Sequence, residues 1–378
     1  MASSTGAPTR ARELAELHSD DGALVSIVVD LDPRNTPTRA EAARRRDALL
    51  DAAKRGRAGL ARDGRARLDA GVEALRRSEL SPPEGTRVRA VLAVADGDDV
   101  TRTWLGRPAS DRAAVGTRAA VWEVAGHVSR STSAIVLEVS REQGKAWRYD
   151  DGRVVELFDA SVHAEPRHDQ GGWEQADLQR WTDRQARLHL RDAAERLERL
   201  RVDHEHDAIV VCGPVEATRA LTAELGPWAA EHVASLHADV RHLQSDDIRD
   251  LVEGTLDESD AGREEELLEA LAAQRARDPS SPDDPDELLP AISDARISCL
   301  LTAPTLDLDA FSCPQCGRLA ARFQECPLDG APMQKEPSGV DALCAEVLLR
   351  DGSVWIVGDA EVAQALGPSG VAGLTRFS

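Results

Sequence analysis

Hydrophobic positions along the chain switch between a period of two and a period near 3.6, and the switches mark out strands and helices in alternation. Leu24-Val-Ser-Ile-Val-Val-Asp-Leu31 is an apolar run short enough for a buried strand, and Asp32-Pro33 stops it. Ala- and Arg-rich helices are predicted from Thr38 to about Arg77, followed by paired strands Val88–Val94 and Val100–Leu105 around the Asp96-Gly97 turn. Three more strands, Ala134–Val139, Gly144–Tyr149 and Val154–Phe158, precede a helix whose apolar positions Leu178, Trp181, Leu188, Ala193, Leu197 and Leu200 recur at close to helical spacing, with a break at Gln185. His206–Gly213 reads as a strand ending at a Gly-Pro turn, and Val215–Leu225 as a helix. Further on, Glu264–Arg277 is expected to be helical, Asp278–Pro285 a loop, Asp286–Ile292 a helix and Arg296–Thr302 a strand. Asp341–Leu349 (helix), Ser353–Val357 (strand) and a Gly-rich return from Gly367 to Phe377 close the pattern.

At 378 residues the chain exceeds one typical core, so two or three domains are expected. No apolar run approaches bilayer length, and the polar start Met1-Ala-Ser-Ser-Thr-Gly does not read as a signal peptide, which points to the cytoplasm and away from a membrane. Six cysteines, three of them in one short segment, suit a reducing compartment with a metal rather than a disulfide framework.

The net charge of −21 looks hostile to nucleic acid, but it is unevenly spread. Residues 34–77 hold 13 Lys/Arg against 6 Asp/Glu, whereas residues 246–287 hold 16 Asp/Glu against 4 Arg. Screening limits phosphate contact to about 8 Å, so local patches outweigh the total. A solvated acidic surface accounts for most of the negative charge.

Two segments carry candidate chemistry. The first is Arg167-His168-Asp169-Gln170-Gly171-Gly172-Trp173, whose adjacent glycines let backbone approach a partner closely. Behind it Arg180, Arg184, Arg187 and Arg191 stripe one helix face, suited to phosphate-rich surroundings. The plain alternative is an ordinary loop before a surface helix with internal ion pairs. Trp173 itself either stacks on a base or packs back on Leu178 or Trp181.

The second segment is Cys313-Pro-Gln-Cys316-Gly317 and, with nine residues between Cys316 and Cys326, Cys326-Pro-Leu-Asp329-Gly330. Each Cys-Pro-x-x-Gly turn can aim two side chains at one ion, so Cys313, Cys316, Cys326 and Asp329 form a candidate structural zinc site. Asp329 stands where a fourth thiolate is usual, and Cys344 is the alternative fourth ligand. Cys212 and Cys299 read as small buried apolar residues.

The loop and helix resemble the middle domain of archaeal and eukaryotic class-1 release factors and their relative Pelota. In the release factors the loop reads Gly-Gly-Gln, and its Gln helps water cleave peptidyl-tRNA in the peptidyl-transferase centre. Residues 341–377 resemble the family's C-terminal domain, in which archaeal members insert a zinc-knuckle hairpin at the same place. Val29-Asp-Leu-Asp-Pro33 resembles the N-terminal domain of bacterial proteins related to these factors, and the stop-codon-reading Asn-Ile-Lys-Ser is absent. The resemblance is to the bacterial relatives, nearest the Balon ribosome hibernation factor group, and it covers residues 127–378 well and the first third loosely.

That resemblance implies a mixed α/β (α+β) fold in a three-domain release-factor/Pelota-like architecture. The N-terminal α/β domain would span residues 1–126, the middle domain with the Gly-Gly-Trp loop 127–255, and the C-terminal domain 256–378 with its zinc knuckle at 313–330. It implies a ribosome-binding translation factor, most simply a non-catalytic hibernation factor in the A site, with elongation factor Tu as an associated partner. Arg167, His168, Gln170, Gly171, Gly172, Trp173, Arg180, Arg184 and Arg187 would contact ribosomal RNA, and no catalytic residue is assigned. Indole offers one N–H donor and no acceptor, so Trp173 should misplace the attacking water. The other reading, a ribosome-rescue peptidyl-tRNA hydrolase using His168 or Gln170, stays open on sequence.

Overall fold

The computed structural model describes residues 7–82, 87–130, 133–140, 144–160, 174–202, 208–238, 243–278, 282, 284–358 and 361–376. It is a mixed α/β fold, as the two periodicities predict, with four sheets among the described residues. The chain divides into two compact units. One comprises Met1–Pro83, Val88–Arg130 and Ala261–Ser378; the other comprises Glu84–Arg87 and Ser131–Asp260.

In the first unit α1 (Ala7–Ala15) precedes β1 (Leu24–Asp30), α2 (Arg39–Ala53) and α3 (Arg62–Arg77). A hairpin of β2 (Ala90–Asp96) and β3 (Asp99–Leu105) follows, then β4 (Arg112–Gly116) and α4 (Trp122–Val128). The strands pair antiparallel in the order β3-β2-β1-β4. Alternate residues of β1 and β2 face two different cores, which is why both strands read as unbroken apolar runs. Val25, Ile27, Val29, Val91 and Ala93 pack on Leu50 of α2 and Leu68, Val72 and Leu75 of α3. Leu24, Val28, Leu92 and Val94 pack into a second core built largely from the last third of the chain.

In the second unit β5 (Ser133–Val139), β6 (Gly144–Asp150) and β7 (Arg153–Asp159) form an antiparallel meander. The helix α5 (Glu174–Arg199) leads to β8 (Ala208–Gly213), α6 (Val215–Thr222), α7 (Pro227–His232) and β9 (Val233–Ala238). The sheet order is β7-β6-β5-β8-β9, with β5, β8 and β9 parallel. Ile135, Leu137, Ile209 and Val211 on one face bury Leu190, Ala193 and Leu197 of α5 and Trp228 of α7. The apolar stripe expected of α5 is therefore shifted: Leu188 is 54% exposed, and the buried positions run Leu190, Ala193, Ala194 and Leu197. Leu188 follows Trp181 at helical spacing, but at about 100° per residue it points to nearly the opposite side of α5 from the buried arc.

The opposite face of that sheet is covered by the start of α8 (Ser245–Arg277) through Ile248, Val252 and Leu256. This helix is continuous, whereas the sequence suggested a domain start near Leu256 and a new helix at Glu264. The acidic stretch Asp257–Glu266 imitates a linker, yet it contains no proline and carries i,i+3 support such as Arg263–Glu266 at 3.0 Å. The division between the two units falls within α8, after Asp260.

The chain then returns to the first unit through α9 (Pro285–Ser293), β10 (Ile297–Thr302), the short strands β11 (Phe311–Ser312), β12 (Leu319–Ala320) and β13 (Gln334–Lys335), α10 (Gly339–Leu349), β14 (Ser353–Ile356) and β15 (Val371–Thr375). One face of the β14-β10-β15 sheet packs on α9 and α10, and the other on Leu267 and Leu271 of α8. Leu343, Cys344 and Val347 of α10 share a core with Leu14, Leu24 and Leu92. The first and last thirds are thus joined by apolar packing, and a buried ion cluster reinforces it. Asp341 of α10, 3% exposed, receives both terminal nitrogens of Arg112 at 2.6 and 2.9 Å and the Val121 and Trp122 amides at 2.9 and 3.1 Å. Glu123 takes the same guanidinium at 2.7 Å twice. Burial works against the charge of Arg112, but hydrogen bonds and charge from Asp341 and Glu123 outweigh it and hold its pKa above the ordinary value.

Candidate functional site

The two cysteine turns fold as near copies of one another. Gly317 N–H donates to Cys313 C=O at 2.9 Å, and Cys313 N–H to Arg318 C=O at 2.9 Å. In the second turn Gly330 N–H donates to Cys326 C=O at 2.9 Å, and Cys326 N–H to Ala331 C=O at 2.8 Å. Both glycines sit in the left-handed region, φ +74° and +73°, where a side chain would strain the turn. The turns hang on β11, β12 and β13, strands of two residues each, over a small core of Cys313, Ala320, Cys326, Ala331 and Met333.

The four predicted donors converge as expected. One ligand atom from each of Cys313, Cys316, Cys326 and Asp329 lies within 4.8 Å of all the others. Cys316 Sγ and Cys326 Sγ are 3.5 Å apart, and Cys313 Sγ is 3.4 and 3.3 Å from the Asp329 oxygens. A tetrahedral ion with metal–sulfur bonds of about 2.3 Å and metal–oxygen bonds of about 2.0 Å needs S–S and S–O edges of roughly 3.8 and 3.5 Å. The donor set therefore fits one small thiolate-binding cation, all four places being filled by protein.

The local electrostatics agree with that fit. At Asp329 the Ala331 amide, donating at 3.0 Å, holds the carboxyl below its usual value, with the thiols adding to it against partial desolvation. Desolvation opposes ionisation of Cys326, yet the Leu328 and Asp329 amides and the Cys316 and Cys313 thiols bring its pKa below the ordinary thiol value. The Arg318 amide favours the Cys316 thiolate, but desolvation and the neighbouring Cys326, Cys313 and Asp329 push that thiol up to about 12. Crowded acceptors that hinder one another's ionisation are relieved by a cation at their centre.

The other cysteines stand apart from this group. Cys344 is fully buried in α10, where burial and then Asp341 and Glu123 push its thiol well up, and it does not join the four donors. Cys212 and Cys299 are buried in β8 and β10, with thiols raised chiefly by burial, to about 12 for Cys212. These three behave as small apolar residues.

Of the predicted RNA-facing residues, Arg167, His168, Gln170, Gly171, Gly172 and Trp173 lie outside the described residues. Arg180 and Arg184 lie on α5, and the structure does not describe their side chains. Arg187 is exposed on the same helix. Farther along α5, Arg191 and Arg196 are held by Glu195 and Asp192 in i,i+4 pairs at 3.5 and 2.9 Å.

The middle sheet also assembles a row that sequence reading missed. Register places Asp159, Lys145, Glu138 and Cys212 side by side across β7, β6, β5 and β8. Lys145 Nζ pairs with Asp159 at 3.1 Å, and that bond and charge raise its pKa. With Cys212 kept as a thiol, the row supplies fixed charge and no poised nucleophile. These residues are separated by up to dozens of positions in the chain, and only strand register unites them.

Comparison with known proteins bears chiefly on the second unit. Residues 133–277 match the family model of bacterial archaeo-eukaryotic release factor family 2. That stretch runs from β5 to the end of α8 and brackets the Gly-Gly-Trp segment. Among solved structures the chain is similar to an archaeal Pelota in a model of ribosome-bound Pelota and ABCE1, at 11% identity over 98% of this chain and 94% of that one, with a TM-score of 0.41. It is similar to Archaeoglobus fulgidus Pelota at 17% identity over 79% and 83% of the two chains, TM-score 0.35. The archaeal translation termination factor aRF1 gives 14% identity over 98% and 97%, TM-score 0.28. Likenesses this remote carry no functional inference on their own. No curated protein matches the chain.

Proposed function

We propose that this protein is a ribosome-binding translation factor of the release-factor and Pelota kind, acting as a non-catalytic hibernation factor in the ribosomal A site. The observation that carries this reading is the match of residues 133–277 to a bacterial archaeo-eukaryotic release factor family. Residues 167–173 fall between β7 and α5 within the matched segment, the connection that bears Gly-Gly-Gln in the release factors it resembles. In this reading the segment reaches the peptidyl-transferase centre, and Arg180, Arg184 and Arg187 meet rRNA phosphate. Segments 1–126, 127–255 and 256–378 act as three functional domains, and elongation factor Tu is the associated GTPase. Trp173 fills the place of the water-positioning glutamine, which disfavours hydrolysis; losing one such polar group typically costs about 10²–10³ in rate.

The same reading assigns a structural zinc to Cys313, Cys316, Cys326 and Asp329. Zinc, when bound, would tie the two turns into one hairpin and leave no open position for substrate. No helix among the described residues is long and apolar enough to cross a membrane, and the cytoplasm is the compartment this function requires.

The test is a single-turnover assay on ribosomes holding radiolabelled peptidyl-tRNA in the P site. Wild-type protein should co-sediment with the ribosomes and release no peptide, whatever codon occupies the A site. Trp173→Gln, restoring Gly-Gly-Gln, should bind equally and recover slow release. Rapid release by the wild type that disappears in His168→Ala or Gln170→Ala would replace this reading with the rescue hydrolase.

A further inference from the structure

The four donors of the knuckle cluster are not equivalent. Cys316 is exposed, whereas Cys313 and Cys326 are buried. The accessible thiol lies 3.5 Å from Cys326 Sγ on the opposite turn, while Cys313 faces the Asp329 carboxylate at 3.3 and 3.4 Å. The cluster thus sorts into a thiol–thiol pair with one accessible member and a thiol–carboxylate pair. A disulfide is about 2.0 Å long, so Cys316 and Cys326 need to approach by roughly 1.5 Å. The turns are carried by two-residue strands over their own small core, so such a shift stays local to the hairpin.

The fourth donor sharpens the contrast. A carboxylate is harder than a thiolate and contributes less to holding a thiolate-preferring ion. If Cys316 and Cys326 were taken up by each other, only Cys313 and Asp329 would be left, half of a closed site. A covalent bond between the two turns would then supply the cross-link that the ion gave, on top of their shared small core.

We infer that Cys316 and Cys326 form a peroxide-responsive dithiol–disulfide pair, whose oxidation expels the metal and replaces it as the tie between the two turns. The metal half of this inference rests on the zinc reading above; the disulfide half does not. The Cys316 thiol gives up its proton to solvent as its Sγ attacks one oxygen of hydrogen peroxide. The O–O bond breaks, the other oxygen leaves as hydroxide and is protonated to water, and Cys316 becomes a sulfenic acid. Cys326 Sγ, as thiolate, then attacks the Cys316 sulfur; the S–O bond breaks, the S–S bond forms, and the departing hydroxide takes a proton to give a second water. Two electrons pass from the two sulfurs to one peroxide. Exposure sets the order, because the accessible thiol meets the oxidant first and the buried one resolves it.

The test uses the full chain as purified, with its metal content measured first, and then one to a few equivalents of hydrogen peroxide. Metal release is followed with a chromogenic chelator, and the oxidised protein is digested with trypsin without reductant, Arg318 and Arg322 lying between the two cysteines. The expected product is a Cys316–Cys326 linked peptide pair two mass units lighter than its reduced parts, with close to one metal lost per link and full reversal by a phosphine reductant plus zinc. The same link should form in chelator-stripped protein. Protein purified without metal, yet still giving the link, would sink the zinc reading and keep the switch. Cys316 carried to sulfinic acid without a link, or linked instead to Cys313 or to a second molecule, overturns the inference.

Discussion

Replacing Asp341 with alanine probes how the first and last thirds of the chain are held together. The wild-type carboxylate accepts from Arg112, from the Val121 and Trp122 amides at the start of α4, and from Ser338 Oγ at 2.6 Å. Breaking a buried ion pair by removing one partner costs about 3–5 kcal/mol, because the other charge is stranded. Glu123 still holds Arg112 here, which moves the estimate to the lower end. Two orphaned backbone amides add at least about 1 kcal/mol each. About 5 kcal/mol overall corresponds to a fall in Tm of roughly 10–20 °C for a unit of this size. Asp341→Asn keeps an acceptor for the α4 amides and should lose about half as much. Differential scanning calorimetry of both variants checks this, with the loss confined to the transition of the first unit. An Asp341→Ala protein melting within about 1 °C of wild type would refute the idea that this cluster fastens α4 to α10.

Other expectations concern charge and metal. Reversing Arg180, Arg184 and Arg187 together to Glu should weaken ribosome binding and flatten its salt dependence, with about 0.7–0.9 lost from the log–log slope per phosphate contact removed; co-sedimentation across a salt series measures it. Asp21 has its carboxyl held below the usual value, first by the Ser19 hydroxyl, against some desolvation, then by the Ala23 amide and Arg67. A lowered folded-state pKa contributes stability above the unfolded value of 3.8 and loses it as pH falls through the lower folded value. Asp21→Asn should therefore cost about 1 kcal/mol at pH 7 in urea unfolding, and the gap to wild type should narrow as pH falls below 3.8. Cys316→Ser should abolish stoichiometric metal and loosen residues 311–335 to proteolysis while leaving the far-ultraviolet circular dichroism almost unchanged, since the hairpin has a core of its own.

The sequence was most legible where one local rule decided the outcome. Leu24–Leu31 reads as a buried strand because both of its faces are covered, and the paired Cys-Pro-x-x-Gly turns announce their geometry through glycine spacing alone. It was least legible where distant partners decide. Leu188 obeys helical spacing yet faces solvent, since the sheet beneath α5 sets the buried arc. The acidic stretch in α8 looks like a linker, but Leu256 before it and Leu267 after it each have a sheet to cover. The Asp159-Lys145-Glu138-Cys212 row and the Arg112–Asp341 cluster exist only through register and packing across long separations.

The central claim is that this chain enters the ribosomal A site and places residues 167–173 at the peptidyl-transferase centre without cleaving peptidyl-tRNA. Cryo-electron microscopy of ribosomes holding a P-site peptidyl-tRNA, incubated with excess purified protein, tests it most directly. The account expects density for the protein in the A site, Trp173 beside the end of the P-site tRNA, and the peptidyl ester intact. Ribosomes with an empty A site at saturating protein, or a bound protein beside a deacylated tRNA, would contradict it.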